Sequence, residues 1–129
     1  MACLETTFLI DLLRGSESVK KLKDELDKNE ALSVAAPSIM EIWLGAIMSK
    51  KSEEEKSKIN ELISSFTILY LDERSAKEAG EIEASLLKEN IEIDPEDIMI
   101  AGIAKVNGEK LVTRDRHYAN ITGLRLLKY

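Results

Sequence analysis

Short apolar runs and helical periodicity alternate along the whole chain. The runs at 2–5 (ACLE), 31–35 (ALSVA), 66–71 (FTILYL), 110–113 (KLVT) and 124–128 (LRLLK) read as strands. The first is followed by a helix opening (TTFLIDLLRG). Segment 16–28 places Val19, Leu22 and Leu26 at helical spacing, with Ser16 as its N-cap. Segment 37–49 starts on Pro37, a first-turn residue, and 52–65 starts on Ser52 and three glutamates, which suit a helix N-terminus. Segment 73–90 is a long amphipathic helix. Asp94 and Pro95 form an N-cap and N1 pair for 95–107, and Gly108 stops that helix. This order predicts a three-layer α/β/α fold around a mostly parallel five-stranded sheet covered on both faces. Ligands of such sheets bind beyond the carboxyl ends of the strands. With no repeat, linker or low-complexity stretch, residues 1–129 read as one domain.

Composition narrows the picture. At 129 residues, 44% hydrophobic and 33% charged, the chain is long enough for one real core and reads as a soluble globular protein with no membrane attachment. A net charge of −6 argues against a broad basic surface for nucleic acid. Nucleic acid as a substrate stays open, because a bound cation reverses the sign locally. Cys3 is the only cysteine, so no internal disulfide forms, and a reducing, cytoplasmic setting is expected with Cys3 as a small buried side chain. No apolar stretch approaches the ~18 residues a bilayer span needs. Glu5 and Asp11 interrupt the first apolar run, which does not read as a signal peptide.

Four acids carry the candidate chemistry. Glu5 ends the first strand-like run, and Asp115 ends another (KLVTRD). Glu41 interrupts an apolar helix (PSIMEIWLGAIM), and Asp97 sits in the first turn of DPEDIMIAGIA. Carboxylates repel one another and resist desolvation, so a fold that gathers four of them points to a divalent cation. Each also has a plainer reading. Glu5 could be an exposed strand end beside a Thr6–Thr7 cap. Glu41 shares its face with small Ser38 and Gly45, which favours a crevice. Asp97, three residues after Asp94, looks on local grounds like part of a cap. Asp115 could be a turn residue or a ligand, with Thr113 two residues before it. Arg114 and Arg116 could meet an anionic substrate or form only surface ion pairs. His117 lacks the setting of a catalytic triad. Tyr118 reads as packing, Trp43 as core or interface, and Asp11 and Asp72 as ordinary surface acids.

Taken together, CLETTFLIDLLRG, SIMEIWLGA and IDPEDIMIAGIAKVNGEKLVTRDRHY resemble PIN domains, specifically the toxin nucleases of VapBC toxin–antitoxin pairs. The third piece is the most specific, carrying D-x-x-I-A at Asp97 and T-x-D at Asp115. The resemblance raises Asp97 from cap to ligand. It implies a Mg²⁺- or Mn²⁺-dependent endoribonuclease acting on RNA phosphodiesters, with Glu5, Glu41, Asp97 and Asp115 as catalytic and metal-binding residues. Glu5 and Asp97 would be the main ligands, and Asp115 or Glu41 would orient a water. Thr113, Arg116 and Thr6 would support the acids or the substrate. An antitoxin that inserts a basic side chain and a homodimer are implied as well; Trp43, Ile47 and Met48, on an apolar helix, could contribute to the dimer or equally be buried in the core. One position departs from the family, whose first acid is nearly always aspartate. Glutamate reaches about 1.5 Å further. The alternative is therefore a catalytically impaired PIN-like binding module. A phosphoacceptor receiver domain fits less well: the first strand supplies only Glu5, and Lys128 is nearly terminal.

Overall fold

A computed structural model describes residues 1–129. The chain runs β1 (Ala2–Leu4), α1 (Thr6–Leu13), α2 (Glu17–Asn29), β2 (Leu32–Ala35), α3 (Ala36–Ile47), α4 (Ser52–Ile63), β3 (Thr67–Leu69), α5 (Glu73–Lys88), α6 (Pro95–Val106), β4 (Lys110–Thr113) and β5 (Leu126–Lys128), with a 3-10 turn at Arg116–Asn120 between the last two strands. The five strands lie in the order β3-β2-β1-β4-β5, and every neighbouring pair is parallel. The sheet is thus wholly parallel. The expected strands at 66–71 and 124–128 shrink to three residues each. These are the two edges of the sheet, where only one neighbour holds the ends.

Side chains alternate across the pleat, and this divides the core in two. Ala2, Leu4, Val34 and Val112 join Phe8, Leu9, Val19, Ile42 and Ile59 beneath α1 to α4. Cys3, Ala35 and Leu111 join Ala79, Ile82, Ile98, Ile103 and Tyr118 beneath α5 and α6. Helices therefore cover both faces, the layering that alternating strands and helices require.

Local chemistry sets the helix ends. Ser16 Oγ accepts the Val19 N–H at 3.4 Å, as its N-cap position predicts. Asp72 is more than a surface acid. It accepts the Ser75 N–H at 2.8 Å and returns its own N–H to Ser75 Oγ, a capping box that starts α5. Asp94 holds the N-cap position of α6 but makes no side-chain cap bond, so Pro95 does the local work there. Gly108, at φ +66°, turns the chain after α6 in a conformation that L side chains resist. Gly102 sets how closely α6 approaches α5. A Cβ there would lie 2.8 Å from the Ser75 carbonyl oxygen. That contact seats the helix that carries Asp97.

Candidate functional site

The strand order reverses direction between β1 and β4, which lie side by side with Leu4 opposite Val112. This is the switch point where parallel sheets open a crevice at their carboxyl ends. Glu5 follows β1 directly, and Asp115 stands two residues beyond Thr113 at the end of β4. Glu41 lies on α3 after β2, and Asp97 in the first turn of α6. Neighbouring acids act on Asp97 and Glu41. Burial pushes the Asp97 carboxyl up to about 6, against a hydrogen bond from Tyr118, and the charges of Glu41, Glu5 and Asp115 add to the rise. Glu41 is raised too, first by burial, against a Thr6 hydrogen bond, and then by Glu5, Glu96 and Asp94.

Neutral donors hold each acid. Glu5 is 2% exposed, so it is not an exposed strand end. Its Oε2 accepts the Thr7 N–H at 3.2 Å, and its Oε1 accepts the Thr7 hydroxyl at 2.6 Å. The Thr113 hydroxyl donates to the same Oε1. Glu5 therefore caps α1 itself, because the longer glutamate side chain folds back onto its own helix start. Thr113 Oγ1 also accepts the Asp115 N–H at 3.0 Å, which ties the two strand ends together. Thr6 Oγ1 lies 2.8 Å from Glu41 Oε1 and 3.0 Å from Ser38 Oγ. The single Thr6 hydroxyl hydrogen is thus shared between the Glu41 carboxylate, the shorter contact, and Ser38 Oγ, both as acceptors. Tyr118 donates its phenol to Asp97 Oδ1 at 3.1 Å. Asp97 thus meets a phenol where local reading expects a cap. Asp115 Oδ1 accepts the His117 N–H at 2.9 Å and starts the 3-10 turn. Of the four acids only Asp115 has a basic side chain beside it, His117 Nδ1 at 3.1 Å, an ion pair only when the imidazole is protonated.

The flanking residues sort themselves. Arg114 donates from Nε to Asp11 Oδ2 at 2.9 Å, and the Tyr129 hydroxyl reaches the same oxygen at 2.8 Å. Asp11 is thus the hinge pin between α1, β4 and the chain end, not an ordinary surface acid. Burial acts to raise its carboxyl, and the bonds from Arg114 and Tyr129 outweigh that and lower it. Arg116 and His117 are exposed, and Tyr118 is buried. Trp43 is half-buried against the core, whereas Met40, Leu44, Ile47 and Met48 leave an apolar stripe of α3 in solvent. A groove of about 410 Å³ lies between α1, α3 and α4, lined by Ile10, Leu13, Ile42 and Ala46, with Arg14 and Glu41 among its polar residues.

The donor set is all oxygen, with no Cys or His cluster, and that chemistry fits Mg²⁺ or Mn²⁺ rather than zinc. Charge fits as well, since a cation would offset the burial and, behind it, the neighbouring carboxylates that raise Asp97 and Glu41. As the side chains stand, no three of them are gathered tightly enough to grip an ion. The Glu5 carboxylate is turned to the threonines. Ligation by Glu5 would thus require its carboxylate to turn from the threonines, whereas Asp97 is held by Tyr118 through Oδ1 alone.

Sequence reasoning missed Thr7 as a donor to Glu5, Ser38 as support for Thr6, the phenol of Tyr118, and Asp11 as a partner of Arg114. Only the Thr-Thr pair after Glu5 carried a local signal, a hydroxyl two residues past an acid.

The family described as "PIN domain" matches residues 2–124. The chain is 27% identical over 123 residues to the "tRNA(fMet)-specific endonuclease VapC" of Shigella flexneri, covering 95% of this chain and 92% of that protein. It is 30% identical over 96 residues to the Salmonella typhimurium protein of the same name, covering 74% and 73%. Among solved structures, that of VapBC2 from Rickettsia felis bound to a promoter DNA fragment superposes with a TM-score of 0.94 at 23% identity, over 99% of this chain and 98% of that one. DNA-bound VapBC from Salmonella typhimurium gives a TM-score of 0.91 at 26% identity, over 99% and 98%.

Proposed function

The chain belongs to the PIN domain family, and on that premise we propose that it is a metal-dependent endoribonuclease, the toxin of a toxin–antitoxin pair. The observation that carries the reading is the set of four carboxylates placed at the carboxyl ends of the strands and the helix starts beside the switch point. Neighbouring acids add to the raised carboxyls of Asp97 and Glu41, and no lysine or arginine pairs with any of the four. The relatives named as VapC endonucleases support the reaction class.

Mg²⁺ or Mn²⁺ bound here supplies a Lewis acid for the scissile phosphate and lowers the pKa of a bound water. Asp97 and Glu5 would hold it, with Glu41 and Asp115 beside them. Asp115 or Glu41 would orient the attacking water and accept its proton as the phosphodiester bond breaks. Thr113 braces this arrangement by bridging Glu5 and the backbone of Asp115. Arg116, exposed one residue further on, would meet the substrate phosphates.

The same reading supplies partners. An acidic crevice with no fixed cation accepts a basic side chain from an antitoxin, and the apolar groove beside Glu41 suits an apolar segment of that protein. A similarly folded solved structure is a toxin–antitoxin complex from Klebsiella pneumoniae. The apolar stripe of Met40, Leu44, Ile47 and Met48 on α3 would be covered in a homodimer.

The test is cleavage of RNA by purified protein, with initiator tRNA first because two relatives are named for it. Activity should require Mn²⁺ or Mg²⁺, vanish with chelator and return with cation. Cleavage that persists in chelator, or that Asp97→Asn leaves intact, would overturn the reading. Glu5→Asp tests the impaired-module alternative: a large gain on substitution would mean that glutamate blunts the natural chain.

A further inference from the structure

We propose that Tyr118 is a positioning residue for the cleavage reaction, its buried hydroxyl holding Asp97 by Oδ1 so that the carboxylate stays aimed at the crevice. The proposal rests on the reading of Asp97 as a ligand given above.

Tyr118 is 0% exposed, and its ring packs in the cluster with Ile98, Leu111 and Ile121. A phenylalanine would fill that space equally well. The hydroxyl is what the position gains from tyrosine, and its one side-chain partner is Asp97. A buried hydroxyl left unpaired is costly, so the bond is maintained wherever the ring is seated. Asp97, for its part, has a competing use. It is the third residue of α6, where an acid commonly turns back to the free N–H groups of the first turn. Asp94 makes no side-chain cap bond, Pro95 has no N–H, and the Asp97 N–H goes to the Asp94 carbonyl, so the Glu96 N–H is the first-turn donor left without a cap. The Tyr118 phenol draws the carboxylate away from it. Oδ2 accepts no hydrogen bond from the protein and is the oxygen free for a cation.

The tyrosine is itself fixed by the site. It sits in the 3-10 turn that Asp115 caps through the His117 N–H. Asp115 therefore places the element that places Asp97, and the two acids are linked through one aromatic ring. Residues that orient ligands from behind typically change metal affinity or activity by about 10- to 100-fold when removed.

The test compares wild type, Tyr118→Phe, Asp97→Asn and Ile121→Val. Three quantities are read: the Mn²⁺ concentration that half-saturates the rise in melting temperature, and kcat and KM on RNA. Tyr118→Phe should keep a metal-free melting temperature close to wild type. Its half-saturating Mn²⁺ should rise by about 10-fold, and kcat should fall comparably with KM for RNA unchanged. Ile121→Val, a packing change in the same cluster, should lower the melting temperature without moving the Mn²⁺ midpoint. If Asp97→Asn abolishes the Mn²⁺ response while Tyr118→Phe leaves midpoint and kcat at wild-type values, Tyr118 only packs and the proposal is overturned. If Asp97→Asn also leaves the Mn²⁺ response intact, the ligand assignment itself falls, and the role of Tyr118 falls with it.

Discussion

Glu5 and Glu109 are each 2% exposed, and they sit at opposite ends of the same parallel sheet. Glu109 precedes β4. Its Oε1 accepts the Ser33 hydroxyl at 3.1 Å, and its Oε2 lies 3.5 Å from the Met1 amino group without a hydrogen bond of its own. Beside it Glu30 pairs with Lys110 at 2.6 Å. At this end two acids lie against two cations, the Met1 amino group and Lys110. At the other end Glu5, Glu41 and Asp97 meet threonine and tyrosine hydroxyls and no lysine or arginine. Hydroxyls orient a carboxylate without cancelling its charge. The first arrangement has cations beside its acids as folded, although Glu109 Oε2 accepts no hydrogen bond, whereas the second leaves negative charge for something that arrives later. Burying acids is therefore not itself the mark of a site; burying them without counter-charge is.

The largest effect should separate the two ends outright. Asp97→Asn should cut Mn²⁺-dependent RNA cleavage by at least about 100-fold, above the cost of losing a residue that merely supports a ligand. Glu109→Gln, measured in the same assay at a temperature where both fold, should leave the rate nearly unchanged. A comparable loss in both would erase the distinction. Next comes cation binding as seen by stability. At about 100 times its dissociation constant, Mn²⁺ should stabilise the wild type by about 2.7 kcal/mol, roughly 10 °C in melting temperature. The gain should persist in Glu109→Gln and disappear in Asp97→Asn.

Smaller effects sharpen the contrast. Ser33→Ala removes the hydroxyl donor of a buried carboxylate and should cost about 2 kcal/mol in denaturant unfolding. Thr113→Val should cost less, about 1 kcal/mol, because Thr7 still serves Glu5. The smallest is a pH effect. The Asp97 carboxyl is raised to about 6 from 3.8, so the folded state keeps a proton that the unfolded chain releases. The stability this gives is fully present below about pH 4 and is lost as pH rises through about 6. For a half-exposed group it amounts to about 1 kcal/mol after solvent screening. Metal-free protein should show that decline, and Asp97→Asn or saturating Mn²⁺ should flatten it. An equal decline in the asparagine variant would assign it to other groups.

The comparison also shows where local reading succeeds and where it stops. The strands near Cys3, Val34 and Val112, the cap at Ser16 and the stop at Gly108 were legible because periodicity and turn chemistry act within a few residues. Glu5, Glu41 and Asp115 stood out as acids interrupting apolar runs. Asp97 needed family resemblance, since acids belong in a helix's first turn anyway. Asp11 and Asp72 were passed over for the opposite reason. Nothing beside them in the chain distinguishes a hinge pin or a capping box from a solvated acid, and Glu109 was hidden in the same way.

By itself, then, the order of residues determined the elements, their parallel layering and the placing of acids at strand ends, because each follows from side-chain spacing along a short stretch. Only the tertiary structure decided what each acid touches. Tyr118 reaches Asp97 across 21 positions, Ser33 reaches Glu109 across 76, and Thr113 reaches Glu5 across 108. A hydrogen bond over such separations depends on how the helices and strands pack together, and no local pattern encodes it.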